Sequence, residues 1–297
     1  MKKRTEDAPC LPPFWVLATG ILAISTGAIF ARMAHTAHPF VIAAYRVGLA
    51  ALVLFPVALV QCKKEIATLR PREWRALLLS GVFLALHFAF WISSLFYTTV
   101  ASSVVIVDTI PIWIALLAPA ITGDRVSRTT LSGIGIAFIG GIVISAGDFS
   151  VGGTALWGNF LALIGAWTAS FYFLCGRIAR HRVSLLTYTS LCYSMAAVLL
   201  WLLVLIKGHP FTGFPFSTWG ALWGMALIPQ ILGHSCYNWA LRYLNPGSIS
   251  VALLGEPLGS SFLAWLLWRE NVHTITIIGG ILILLGIYIV ARWEQQV

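Results

Sequence analysis

Residues 101–126 read ASSVVIVDTIPIWIALLAPAITGDRV, and residues 247–272 read GSISVALLGEPLGSSFLAWLLWRENV. Sliding the chain by 146 positions pairs Ser102 with Ser248, Val105 with Val251, Pro111 with Pro257, Leu117 with Leu263, Ala118 with Ala264 and Val126 with Val272. The register reaches back to Tyr97 and Tyr243, and forward to Thr130 and Thr276, Gly133 and Gly279, and Gly140 and Gly286. A shift of 145 carries it to Gly20 and Gly165, Ser25 and Ser170, and Arg32 and Arg177. Isolated Gly, Ala and Leu matches are expected in so apolar a chain, but two prolines, two tyrosines and spaced glycines in one register point to an internal duplication.

The 297 residues are 59% hydrophobic and 10% charged, far from the soluble norm of roughly a quarter charged. With a mean hydropathy of +0.88, this is the composition of a many-span membrane protein. Ten stretches reach the length a hydrocarbon core demands: 14–33, 39–61, 74–97, 101–121, 129–147, 154–176, 184–206, 218–242, 247–268 and 274–291. The expected organisation is a short segment (1–13), a first five-helix repeat (14–147), a second (154–291) and a tail (292–297). Because five is odd, the second repeat enters the membrane in the opposite sense. The expected fold is therefore an all-α membrane protein of ten helices in two inverted-topology repeats. Such pairs suit alternating access about a site near the midplane.

Loop charge sets the orientation. With the amino terminus inside, fifteen of the nineteen Lys and Arg fall on the cytoplasmic side. Only Arg32, Lys207 and Arg269 fall outside, and Arg46 lies within a span. Both termini are expected in the cytoplasm. The net charge of +9 therefore reads as membrane orientation, not as a nucleic-acid surface. Five cysteines, three of them in apolar runs, suggest free thiols.

Arg46, Asp108 and Glu256 sit well inside spans, where each charge needs a partner or a polar interior. Arg46 and Asp108 both lie about 10 Å from the outer ends of their spans, a depth at which they can pair. The alternative is that Arg46 snorkels outward while backbone amides beside Pro111 satisfy Asp108. Glu256 and His234 share a depth nearer the inner side and can hold and pass a proton; a structural role for each is the competing reading. Pro257 permits a break beside Glu256. In one span Gln230, His234 and Asn238 share a helical face, as His87, Trp91 and Ser94 do in another. The repeat register sets Trp91 against Tyr237 and His87 beside His234. Trp113, Trp167 and Tyr172 are candidate aromatic walls of the same cavity. Trp15, Trp74, Trp219 and Trp293 fit an interfacial belt better. Gly133, Ala137 and Gly141 form a small-residue face, for packing within a monomer or between two copies.

No nucleotide-phosphate loop, metal-ligand pattern or hydrolase nucleophile signature occurs, so no enzyme activity, cofactor or metal is expected. The whole chain resembles the drug/metabolite transporter superfamily in its EamA-type branch. The resemblance is carried by Ala101-Ser102-Ser103 through Pro111 to Gly123-Asp124 and Gly133, by Gly247-Ser248 through Glu256-Pro257 to Arg269-Glu270 and Gly279, and by the run His87 to Ser94 leading into Tyr97. Asp124 stands where that family usually has Glu. The likeness implies export or exchange of an amino acid, metabolite or drug-like solute across the cell membrane, with export the expected direction. Proton coupling through Glu256 is one expectation; a passive facilitator or channel, and more remotely an intramembrane enzyme, are the alternatives.

Overall fold

The computed structural model describes residues 9–98, 100–145, 153–268 and 274–294. Lys2, Lys3, Arg4, Arg269 and Glu270 of the sequence reading lie outside them. Every described element is a helix. The first half contains α1 (Pro13–Ile24), α2 (Thr26–Met33), α3 (Pro39–Gln61), α4 (Lys63–Ala67), α5 (Pro71–Ser94), α6 (Val100–Val107), α7 (Ile110–Ile121) and α8 (Arg128–Ser145). The second contains α9 (Gly153–Arg180), α10 (Leu185–Lys207), α11 (Phe216–Met225), a π-helix (Ala226–His234), α12 (Ser235–Ala240), α13 (Pro246–Leu253), α14 (Glu256–Trp268) and α15 (Thr274–Glu294).

Local chemistry sets many of these ends. Proline opens α1, α3, α5 and α13, where its missing N–H is no loss. His38, Ser184 and Asn245 accept the free N–H groups of Phe40, Thr187 and Gly247. Gly208 at φ 65° terminates α10 in the left-handed region.

Seven helical stretches among the described residues are long and apolar enough to cross a membrane: Pro13–Met33, Pro39–Gln61, Pro71–Ser94, Ser102–Ile121, Gly153–Arg180, Leu185–Lys207 and Pro246–Leu267. The other three expected stretches are also helical, as α8, α15 and the run from α11 through the π-helix to α12. The outward faces of the bundle carry large apolar chains such as Val60, Leu116, Ile206 and Ile281, which lipid and not water would cover. The chain is a multi-pass membrane protein.

The repeat register is written into the backbone. The turn that separates α6 from α7 at Asp108 and Thr109 falls 146 residues before the one that separates α13 from α14 at Leu254 and Gly255. Pro111 and Pro257 follow as the second residue of each new half-helix, so the break precedes the proline by two residues in both halves. Helices α8 and α15 pack with their directions opposed. Gly133 meets Gly286 while Gly140 meets Gly279, two contacts that exchange under the 146-residue shift. A Cβ on Gly140 would stand 2.5 Å from the Gly279 carbonyl oxygen. The packed face is thus Gly133, Ala137 and Gly140, and it lies within the monomer; Gly141, the third member expected from spacing, has nothing near it. Seven residues from Gly133 to Gly140 turn the helix about 700°, about 20° short of two full turns, whereas the eight to Gly141 overshoot by about 80°, so Gly140 and not Gly141 stays in line with Gly133.

Candidate functional site

Between the two halves lies a cavity of about 40 Å³, room for one or two waters. Arg46 from α3, His87 and Trp91 from α5, Asp108 from the first break, Tyr172 from α9, His234 from the π-helix and Glu256 from the second break all line it. Phe88 and Phe173 complete the aromatic wall. Seven polar or aromatic residues singled out in the sequence therefore converge on one buried space.

Arg46 is 2% exposed and is held from two directions. Its Nε donates to Gln230 Oε1 at 2.8 Å, and its guanidinium carbon lies 4.0 Å from the Phe88 ring centroid. An aromatic face is attractive to a desolvated guanidinium by about 2 kcal/mol. The expected ion pair with Asp108 does not form among the described residues: Arg46 Nη1 and Asp108 Oδ2 are both buried without a hydrogen-bond partner. Gln230, four residues before His234, reaches Arg46 first because the π-helix carries it inward. That π-helix contains Pro229, which removes one backbone donor, and its wider turn buries Gln230 and His234 together; Asn238 is buried one turn on, in α12.

His87 Nδ1 lies 2.9 Å from the Gly165 carbonyl, which can only accept; the imidazole proton is therefore on Nδ1, and Nε2 is left for other contacts. The His87 ring lies parallel to Trp91 with centroids 6.0 Å apart. Gly165 helps to allow this, since a Cβ there would come within 3.3 Å of the Trp91 backbone nitrogen and Cβ. The equivalent glycine, Gly20, is pressed against Tyr237, the register partner of Trp91. His234 meets Phe88 edge-on at 5.3 Å, and its Nδ1 has no partner.

Asn238 and Tyr237 lie behind this lining. Asn238 accepts from Tyr172 Oη at 2.8 Å and donates to Tyr193 Oη at 3.2 Å, so it positions aromatic walls. The Tyr237 hydroxyl, fully buried, has no partner. Three expected residues belong elsewhere. Ser94 joins α5 to α6 through Ser103 at 2.6 Å. Trp113 donates to Thr109 in the turn that precedes its own helix. Trp167 is 45% exposed and leans on Phe171; five residues from Tyr172 put it about 140° around the helix from the cavity face.

Two further residues, Ser25 and Ser170, which the register pairs, brace the helix breaks that flank the cavity. Ser25 Oγ reaches the Glu256 carbonyl at 3.3 Å, and Ser170 Oγ reaches the Ile110 carbonyl at 3.3 Å. Glu256 and Ile110 are the first residues after the two breaks and are themselves 146 apart. Each half thus supplies a hydroxyl to the broken helix of the other. Gly259 is what lets Ser25 approach, since a Cβ there would strike Ser25 Oγ.

Polar ties close both ends of the bundle. At one, Arg177 binds Asp124 at 3.2 Å and the Leu241 carbonyl at 2.6 Å, and Arg180, 2% exposed, donates to the carbonyls of Asn238 and Val183. Glu65 accepts from Ser184 and Thr187 there. At the other, His38 stacks on His209 with centroids 3.5 Å apart, Thr36 meets Thr218, and Tyr45 donates to the Phe211 carbonyl.

Comparison with known proteins agrees with this architecture. A solved crystal structure superposes with a TM-score of 0.80 over 96% of this chain and 98% of its own, at 18% identity. A transporter of uncharacterised function from Archaeoglobus fulgidus is 26% identical over 265 residues, 87% of this chain and 89% of its own. Another, YyaM from Bacillus subtilis, is 24% identical over 89% of each chain. A protein from Streptantibioticus cattleyicolor named "Probable terminal-alkyne amino-acid exporter" is 25% identical over 188 residues, 61% of each chain. The EamA-like transporter family model matches twice, at residues 12–146 and 156–292, the same two segments that the shifted register and the paired helix breaks delimit, and the chain belongs to that family.

Proposed function

We propose that this transporter carries a small zwitterionic solute of the amino-acid type, by alternating access between two inverted five-helix halves with both termini in the cytoplasm. The observation that carries the reading is the set of buried polar atoms without partners around one cavity. Arg46 Nη1, Gln230 Nε2 and Trp91 Nε1 are donors, and Asp108 Oδ2 is an acceptor. Each such atom costs about 1–3 kcal/mol when left unpaired, so a ligand that supplies a carboxylate to the donors and an ammonium to Asp108 and Glu256 relieves both sets. Phe88, Trp91, Tyr172 and Phe173 then face the apolar remainder of the solute. The amino-acid exporter among the relatives points the same way, and suggests export as the direction. A cavity of 40 Å³ is too small for such a solute, so this conformation is a closed one that must open to load. Glu256, beside the second break and close to the charge of Arg46, is the candidate for proton coupling.

The test is counterflow in reconstituted vesicles loaded with aromatic and aliphatic amino acids, with each one's methyl ester and N-acetyl derivative as competitors. The free amino acid should compete at least about tenfold better than either derivative, since each derivative lacks one charged partner. Equal competition by the ester would remove Arg46 as a carboxylate ligand and with it this reading.

A further inference from the structure

A second cleft, of about 280 Å³, opens at the arginine-rich end of the bundle, apart from the central cavity. Its walls are the start of α5, with Arg70, Arg72 and Glu73, and the end of α9, with Arg177, His181 and Arg182. Positive charge here exceeds its acceptors. Arg177 has Asp124, and Arg182 stands 3.9 Å from Glu73 while mostly exposed. Among the described residues no ion pair engages Arg70 or Arg72. Both sit at the first turn of α5, where the peptide dipoles already concentrate positive potential. Glu73 offsets part of it by accepting the Arg70 N–H at 2.8 Å. Membrane orientation requires basic residues at this end but does not require them to converge on a concavity; Lys63 and Lys64 meet that need on the open surface.

We propose that this cleft binds a phosphate-bearing anion. Guanidinium groups present paired donors at the spacing of phosphate oxygens, and four of them around one space can engage a monoester dianion from several sides. The volume lies just under the roughly 300–1,000 Å³ of sites for drug-sized ligands, which suits a headgroup or a small phosphorylated solute. A position at the end of the spanning helices is open to both sources, a lipid phosphate and a soluble one. Arg177 gives the site leverage: the same guanidinium holds Asp124 and the Leu241 carbonyl, so an anion that draws on it acts on the seam between the two halves.

The test is thermal unfolding of the purified full-length protein at constant ionic strength. Inorganic phosphate should stabilise it over chloride if the ligand is soluble. Nanodiscs of phosphatidylcholine with phosphatidic acid should stabilise it over those with phosphatidylglycerol if the ligand is a lipid phosphomonoester. The exposed double variant Arg70→Gln/Arg72→Gln should weaken whichever response is seen by about tenfold or more in the concentration required. Lys63→Gln/Lys64→Gln, which removes the same charge outside the cleft, should change it less than about twofold. Equal loss in both pairs would mean diffuse surface charge, and no response to either probe in the wild type would mean no site; each overturns the proposal. Central transport is unaffected by either failure, so the result does not bear on the zwitterion cavity.

Discussion

Replacing Gly140 by alanine adds one methyl group to the antiparallel contact of α8 and α15, and the structure says how much room it has. The new Cβ would lie 2.5 Å from the Gly279 carbonyl oxygen and 2.9 Å from the Ile283 amide nitrogen. Both are backbone atoms, so neither can rotate away. Ordinary contact begins near 3.4 Å, and the helices must part by about 0.9 Å. Overpacking of this kind costs about 1–3 kcal/mol, against which the better helix propensity of alanine returns about 0.5–1 kcal/mol. Gly140→Ala should thus lower the unfolding free energy by up to about 2.5 kcal/mol, with about 1 kcal/mol at the middle of the range. Gly135→Ala, in the same helix with nothing within 4 Å, should raise it by about 0.5–1 kcal/mol. Gly286→Ala, whose Cβ would stand 2.5 Å from the Gly133 carbonyl, should match Gly140→Ala, because the two positions are equivalent under the shift. Denaturant titration in mixed micelles, followed by tryptophan fluorescence, measures all three. If Gly140→Ala and Gly135→Ala behave alike, the two helices do not meet as described.

Cysteines introduced as Ile66→Cys, in the short helix α4, and Pro210→Cys, in a loop, lie in equivalent connections of the two halves; an impermeant reagent added outside intact cells should label only position 210, and labelling of both would end the inverted-repeat proposal. Glu256→Gln keeps the shape but cannot titrate, so it should preserve solute exchange and lose accumulation driven by a pH gradient; full retention would reassign Glu256 to a structural role at the break. Burial, with the adjacent His209, holds the His38 imidazole below its ordinary value of 6.5. The neutral form is therefore favoured in the folded protein, and the stability it lends is present above about pH 6.5 and declines as pH falls from there through the lowered value. His38→Asn retains a side-chain cap for α3 and should flatten that decline in a thermal-unfolding series; an unchanged slope would place the titration elsewhere.

The duplication, the helical class and the membrane setting were legible because they rest on register and composition, which survive folding unchanged. The cavity was legible in part. Intramembrane charges and helical-face spacing brought out Arg46, His87, Trp91, Asp108, His234 and Glu256, since burial in lipid leaves such residues few places to go. The Arg46 partner was not legible: depth along two helices ranks Asp108 first, but rotation about them decides contact, and a π-helix that no spacing rule anticipates turns Gln230 inward. Arg180 shows the same limit from the other side. Loop counting places it in water, whereas its guanidinium is buried on two backbone carbonyls. Ser25 and Ser170 were visible as a matched pair, yet a serine in an apolar run ordinarily bonds its own helix, as both also do, and the second acceptor is a tertiary fact.

The exchanged serine bonds also set an order for biogenesis. The carbonyl of Ile110 waits for Ser170, 60 residues later in the chain; at about 5–20 residues per second that is a delay of roughly 3–12 s of synthesis. The carbonyl of Glu256 needs Ser25, made 231 residues earlier. Ser25 therefore holds a hydroxyl in reserve until the stretch that carries Glu256 has been inserted. Two bonds that are equivalent in the finished molecule are thus unequal in time, and the first half of the nascent chain cannot reach its final form until about three quarters of the second has been made.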